Sequence, residues 1–117
     1  MGVSKQTLSN LAIATTAASE KLGENLVALD VSEPFALAEV FLMVSAKNVR
    51  QVLAISDAIL QALQKVGVKV RFTEGREAAR WILLDFGDLV VHVMHETERE
   101  FYSLERLWRD CPVVPVR

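Results

Sequence analysis

The sequence predicts an α+β fold, a single mixed sheet of about five strands with helices packed on it. Three observations predict it. The chain has 117 residues and is 51% hydrophobic, so it is long and apolar enough to bury one core. Its apolar residues recur with two periods, helical over 8–22 and 52–66 and strand-like over 26–31, 40–44, 68–72 and 81–95. No repeat, low-complexity tract or linker interrupts that succession, so residues 1–117 read as one domain with loose ends at 1–4 and 110–117.

The elements follow in order. Leu8, Leu11, Thr15, Ala18 and Leu22 recur at steps of three and four, with Ser4 or Thr7 placed to cap the start and Gly23 just past the end, which predicts an amphipathic helix. Leu26 to Val31 and Val40 to Val44 are short β-branched and apolar runs separated by the turn residues Ser32-Glu33-Pro34; their continuous apolarity predicts two central strands. Asn48 and Gln51 have the spacing of a capping box. Val52, Ile55, Ile59, Leu63 and Val66 then lay one stripe along a helix that stops at Gly67.

Val68, Val70 and Phe72 alternate with Lys69 and Arg71, the pattern of a strand with one wet face near a sheet edge. Trp81 to Phe86 and Leu89 to His95 flank Gly87-Asp88, a two-residue loop with glycine first that suits a type II′ hairpin. Thr97 and Glu100 form a second capping box for a short helix through Phe101, Leu104 and Trp108, and Pro112 and Pro115 are expected to prevent regular structure after it. Strand order stays open at this level.

The hairpin carries more information than any other segment, because an even loop fixes which side chains share a face. One face carries Ile82, Leu84, Phe86, Leu89, Val91 and Val93 and is the core side. The other carries Trp81, Leu83, Asp85, Val90, His92 and Met94, with Trp81 opposite Met94. Such a mixture suits a recognition surface or a lightly covered face. The alternative is that a terminal helix covers it and Trp81 is core.

Thirteen basic and fifteen acidic side chains leave a net charge of -2, which argues against direct nucleic-acid binding. The single cysteine, Cys111, cannot close an internal disulfide, and no signal peptide or membrane-length apolar run is visible, so a soluble cytoplasmic protein is expected. Metal ligation by His92 and His95 is disfavoured because residues three apart on a strand point to opposite faces. Asp85 and Asp88 bracket the turn, and a divalent ion held between them would support nucleotidyl or phosphoryl transfer. Against that enzyme, aspartates beside a glycine turn commonly serve the turn itself, and no phosphate loop or basic clamp accompanies them. No cofactor or catalytic set is expected. The charges of the last helix read as a solvated face.

The run Trp81-Ile82-Leu83-Leu84-Asp85-Phe86-Gly87-Asp88-Leu89-Val90-Val91-His92-Val93-Met94, followed by Arg99-Glu100-Phe101-Tyr102-Ser103-Leu104-Glu105-Arg106-Leu107-Trp108, resembles the signature of the Iojap-like ribosomal silencing factors. Upstream, Ala28-Leu29-Asp30-Val31, Leu37-Ala38-Glu39 with Phe41, Arg50-Gln51, Ala54-Ile55-Ser56-Asp57 and Glu74-Gly75 fall in the family's order. Two places depart from it: Val44-Ser45-Ala46-Lys47 replaces a Thr-Gly-Thr-Ser type turn, and Val40 precedes Phe41 where the family has Tyr or Asp.

The resemblance implies a nucleotidyltransferase-like domain without the catalytic carboxylates. It implies binding to ribosomal protein L-fourteen on the large subunit, so that joining of the small subunit is blocked and translation falls when nutrients are short. It also implies contact residues: Trp81, Asp85, Phe86 and Met94, then Asp88, His92 and Tyr102. Trp81, Asp85 and Met94 share the non-core hairpin face, whereas Phe86 lies on the other and reaches a partner only over the hairpin end. A homodimer of the free protein is left open.

Overall fold

The computed structural model describes residues 2–34 and 37–116, the side chain of Leu104 excepted. The outermost residues of the two expected loose ends, Met1 and Arg117, lie outside that set, as does the side chain of Leu104, expected on the last helix. The elements are α1 (Lys5–Glu20), β1 (Glu24–Asp30), β2 (Val40–Ala46), α2 (Val49–Lys65), β3 (Phe72–Glu74), β4 (Trp81–Asp85), β5 (Leu89–His95), α3 (Glu96–Tyr102), α4 (Leu104–Leu107) and β6 (Val113–Val114).

The strands form one mixed sheet in the order β3-β4-β5-β2-β1-β6. Only β2 and β5 run parallel, and α2 with the strands after it supplies the crossover that parallel pairing requires. α1 and α2 pack together over one face of this sheet, and the main core fills the space between. Leu11, Ala14 and Ala18 of α1 and Val52, Ile55, Ile59 and Leu63 of α2 meet Leu42, Val44, Ile82, Leu84, Leu89, Val91 and Val93. The other face has a smaller cluster, Leu29, Val31, Ala38, Phe41, Met43 and Val90, partly roofed by Trp108 and Cys111. Burial raises the Cys111 thiol pKa, with Asp30 and Asp110 adding to the rise, so this sulfur stays protonated at neutral pH. No described helix is long and apolar enough to cross a membrane.

The helix ends follow from local chemistry. Ser4 caps α1, its hydroxyl accepting the Thr7 N–H at 3.1 Å, and Asn48 caps α2 by accepting from Gln51 at 2.9 Å. The Gln51 side chain reaches back to the Lys47 N–H rather than to Asn48. Both helices close with paired reverse bonds. Gly67 and Val68 donate to Gln64 and Leu63, and Leu22 and Gly23 donate to Ser19 and Ala18. At the end of α2 the left-handed position is Gly67, with φ of 82°, but at the end of α1 it is Leu22, with φ of 65°. That explains why Leu22, expected on the buried stripe, is 74% exposed: the closing turn swings it away from the sheet. Leu8 and Val66 also face solvent. Leu22→Gly is expected to stabilise the protein by about 0.5 to 1 kcal/mol, read from the chemical denaturation midpoint, because glycine takes this conformation without a Cβ penalty.

Three other expectations are corrected. The predicted strand over 68–72 begins only at Phe72. Val68 is used to close α2, so Val68 and Val70 pack on the core from outside the sheet, and Phe72 is 46% exposed. The last helix is capped by His95, whose Nδ1 accepts the Thr97 N–H at 3.1 Å, because β5 runs straight into the helix and leaves Thr97 inside it. That helix breaks at Ser103, which is left-handed at φ 49°, into α3 and α4. Finally, Val113–Val114 does form a strand despite its flanking prolines. It lies at the sheet edge opposite Leu29 and Ala28, where proline is tolerated, and the Pro112 carbonyl accepts the Asp30 N–H at 2.8 Å.

Candidate partner-binding face

The β4–β5 hairpin has the predicted register, Trp81 opposite Met94 and Leu83 opposite His92. Gly87 takes φ of 96° as the turn requires, and Asp85 Oδ1 accepts its N–H at 2.7 Å. Ile82, Leu84, Leu89, Val91 and Val93 are buried in the main core, with Phe86 half-buried against them. On the opposite side of the sheet, rings make a continuous chain. Phe101 packs edge-on to Tyr102 at 5.0 Å, Tyr102 lies 4.9 Å from Trp81, Trp81 lies 6.0 Å from His92, and Phe41 sits between His92 and Trp108 at 5.4 Å from each.

Trp81 and His92 are also joined by a hydrogen bond, indole Nε1–H to His92 Nδ1 at 3.1 Å. A histidine whose Nδ1 accepts is neutral and carries its proton on Nε2. Burial supports that form, since it pushes the His92 pKa down to about 4. The consequence is a pH dependence with a definite sign. Because the folded pKa lies below the unfolded value of 6.5, the unfolded chain binds the extra proton first, and stability falls as pH drops through the window between them. A loss on the order of 1 to 2 kcal/mol between about pH 7 and pH 5 is expected by urea denaturation, and His92→Phe should flatten it. Glu98, lowered chiefly by its bond to Arg80, and Glu39, lowered chiefly by the Ser4 N–H, act only at more acidic pH.

The seven residues singled out in the sequence are therefore not equivalent. Trp81, His92 and Tyr102 come together in the ring chain, and Asp85 stands at its turn end. Met94, the cross-strand neighbour of Trp81, is fully buried, so it backs Trp81 from the adjacent strand instead of presenting a surface. Asp88 is exposed at the hairpin tip, with its carbonyl accepting from Glu39 and Val40. Phe86 belongs to the main core side. Asp85 is engaged by the turn through the Gly87 N–H, and among the described residues no group of three or more His, Cys, Asp or Glu is placed to hold a metal.

Sequence reasoning missed Phe41, Trp108 and Phe101 as parts of this face. Phe41 sits in an unbroken apolar strand, where periodicity cannot tell one side from the other. Beside the chain, a cleft of about 420 Å³ is lined by Leu37, Phe41, Phe72, Leu83, Asp85 and His92 among others. Leu37, Phe101 and Leu107 are each more than 70% exposed. Exposed apolar groups of this size near a half-buried tryptophan are the makings of a protein-binding surface.

A family model described as "Ribosomal silencing factor during starvation" matches residues 4–117. The chain belongs to this family. The ribosomal silencing factor of Bacillus subtilis is 41% identical over 105 residues, covering 90% of this chain and 89% of that protein. That of Halalkalibacterium halodurans is 40% identical over 104 residues, with 89% of each covered. The crystal structure of a Chromobacterium violaceum protein superposes with a TM-score of 0.83 at 33% identity, covering 91% of this chain and 87% of that one. The hairpin and the segment after it, whose residues resemble the Iojap-like pattern, supply Trp81, His92, Phe101, Tyr102 and Trp108 of the ring chain, and β2 supplies Phe41.

Proposed function

We propose that this ribosomal silencing factor docks its aromatic face on ribosomal protein L-fourteen of the large subunit and blocks joining of the small subunit, in the cytoplasm and under nutrient limitation. The observation that carries the proposal is the ring pair of Trp81 and half-exposed Tyr102, placed together on the sheet face away from the main core. Aromatic anchors with an apolar centre and a charged rim are the usual energetic core of a protein interface. Asp88 at the hairpin tip and Glu100 on α3 are exposed carboxylates on the elements that carry these rings, and a ribosomal protein supplies the complementary basic surface. Occlusion of this kind needs affinity and no chemistry, so the factor acts as a binding protein and not as an enzyme. The same apolar face would serve a homodimer of the free protein, measurable by light scattering.

Isothermal titration of purified L-fourteen into the factor tests the choice of partner. Binding that is lost in the Trp81→Ala variant supports it. Tight binding to whole large subunits with none to isolated L-fourteen would move the contact to another component.

A further inference from the structure

Arg99 is a charged side chain on α3 with only 8% of its surface exposed, and a buried guanidinium is tolerated only when its N–H groups find acceptors. Its acceptors come from three other elements. Nη1 donates to the Asn25 carbonyl of β1 and, at 2.9 Å, to Ser45 Oγ of β2. Nε and Nη2 both donate to Glu105 Oε2 of α4, at 2.8 and 2.6 Å.

Two of the three acceptors are available through a local irregularity. The β1–β2 register slips between Glu24 and Val27, and Asn25 sits in that bulge at φ 51°, so its carbonyl is turned out of the ladder. The left-handed Ser103 bends the chain so that Glu105, on the next short helix, returns to Arg99. The site is not open to an anion from solution, because a carboxylate and a carbonyl already occupy the fork.

We propose that Arg99 is a positioning residue: by tying α3 to β1, β2 and α4 it holds Tyr102 against Trp81 and so shapes the docking face. This rests on the partner-binding role given to that face. Arg99 and Tyr102 are three residues apart on a single short helix, so fixing one fixes the other's direction. An adjacent side of α3 is pinned by Arg80, whose Nε reaches Glu98 Oε2 at 2.9 Å and whose Nη2 reaches Oε1 at 2.8 Å. Between these two clamps the Tyr102 ring rests 4.9 Å from the indole. Lysine could not replace the fork, since one ammonium cannot span Asn25, Ser45 and Glu105 together.

The test uses the full chain with Glu105→Ala, which removes a surface-accessible acceptor without opening a core, and Arg99→Lys as a second variant. In the free protein, nuclear Overhauser contacts between the Trp81 indole and the Tyr102 ring are expected to weaken in Glu105→Ala while far-UV circular dichroism is unchanged. Affinity for the large subunit should fall about tenfold, as for the loss of a charge-assisted contact. In a Tyr102→Ala background the same substitution should cause no further loss, because Arg99 and Glu105 act through Tyr102. Ring contacts that persist in Glu105→Ala, or an equal loss of affinity with and without Tyr102, would overturn the proposal. If the wild-type factor does not bind the large subunit, the docking role fails, whereas the ring contacts of the free protein still decide whether Arg99 positions Tyr102.

Discussion

Trp81→Ala is expected to weaken binding to the large subunit by about thirty- to a hundredfold, some 2 to 3 kcal/mol, while the fold survives. The size follows from its position. Trp81 is the middle ring between Tyr102 and His92, half-buried on the sheet face opposite the main core. Truncation removes a rigid apolar anchor and leaves the Nδ1 of buried His92 without its donor. It leaves Ile82, Leu84, Val91 and Val93 untouched beneath α1 and α2, so far-UV circular dichroism should be preserved and cooperative unfolding should persist. Loss of folding would place the tryptophan in the core after all and contradict its role as an anchor.

Gly75→Ala is expected to destabilise the protein by about 3 kcal/mol or more, seen as a lower urea midpoint. Two separate costs meet at this residue. Its φ of 90° is closed to L side chains, and a Cβ built there would stand 2.0 Å from the Trp81 carbonyl oxygen. Neither atom can give way cheaply, because the Cβ is fixed by the Gly75 backbone and the oxygen is itself backbone: the Ala79 N–H is bonded to the Gly75 carbonyl at 2.9 Å, and Trp81 begins β4. Any relief must shift the start of β4, so this variant should also lose affinity for the large subunit through a displaced Trp81. Unchanged stability would mean that residues 75–79 retreat freely from the hairpin.

Much of this was legible in the residues. The even Gly87-Asp88 loop dictated the hairpin register, and with it the division into a core side and a mixed side. Asn48 and Gly67 marked the two ends of α2. What escaped depends on contacts distant in sequence. Val113–Val114 becomes a strand only because β1 offers a free edge there. The all-apolar stretch of β2 hid the outward side of Phe41. Met94 looked like a surface partner for Trp81, but α3 folding back over β5 leaves it no exposure. The charged run of the last helix read as a solvated face, and the burial of Arg99 depends on a bulge in β1 and a kink at Ser103, neither of which has a sequence signal of its own.

On the proposed function, one face of this sheet closes the large subunit to the small one. The most direct measurement is to mix the purified factor with separated large and small subunits and follow sedimentation and subunit joining on a sucrose gradient. The factor should travel with the large subunit alone and deplete joined ribosomes, with Trp81→Ala failing at both. Joining that proceeds unhindered at saturating factor, or co-sedimentation with the small subunit, would contradict it.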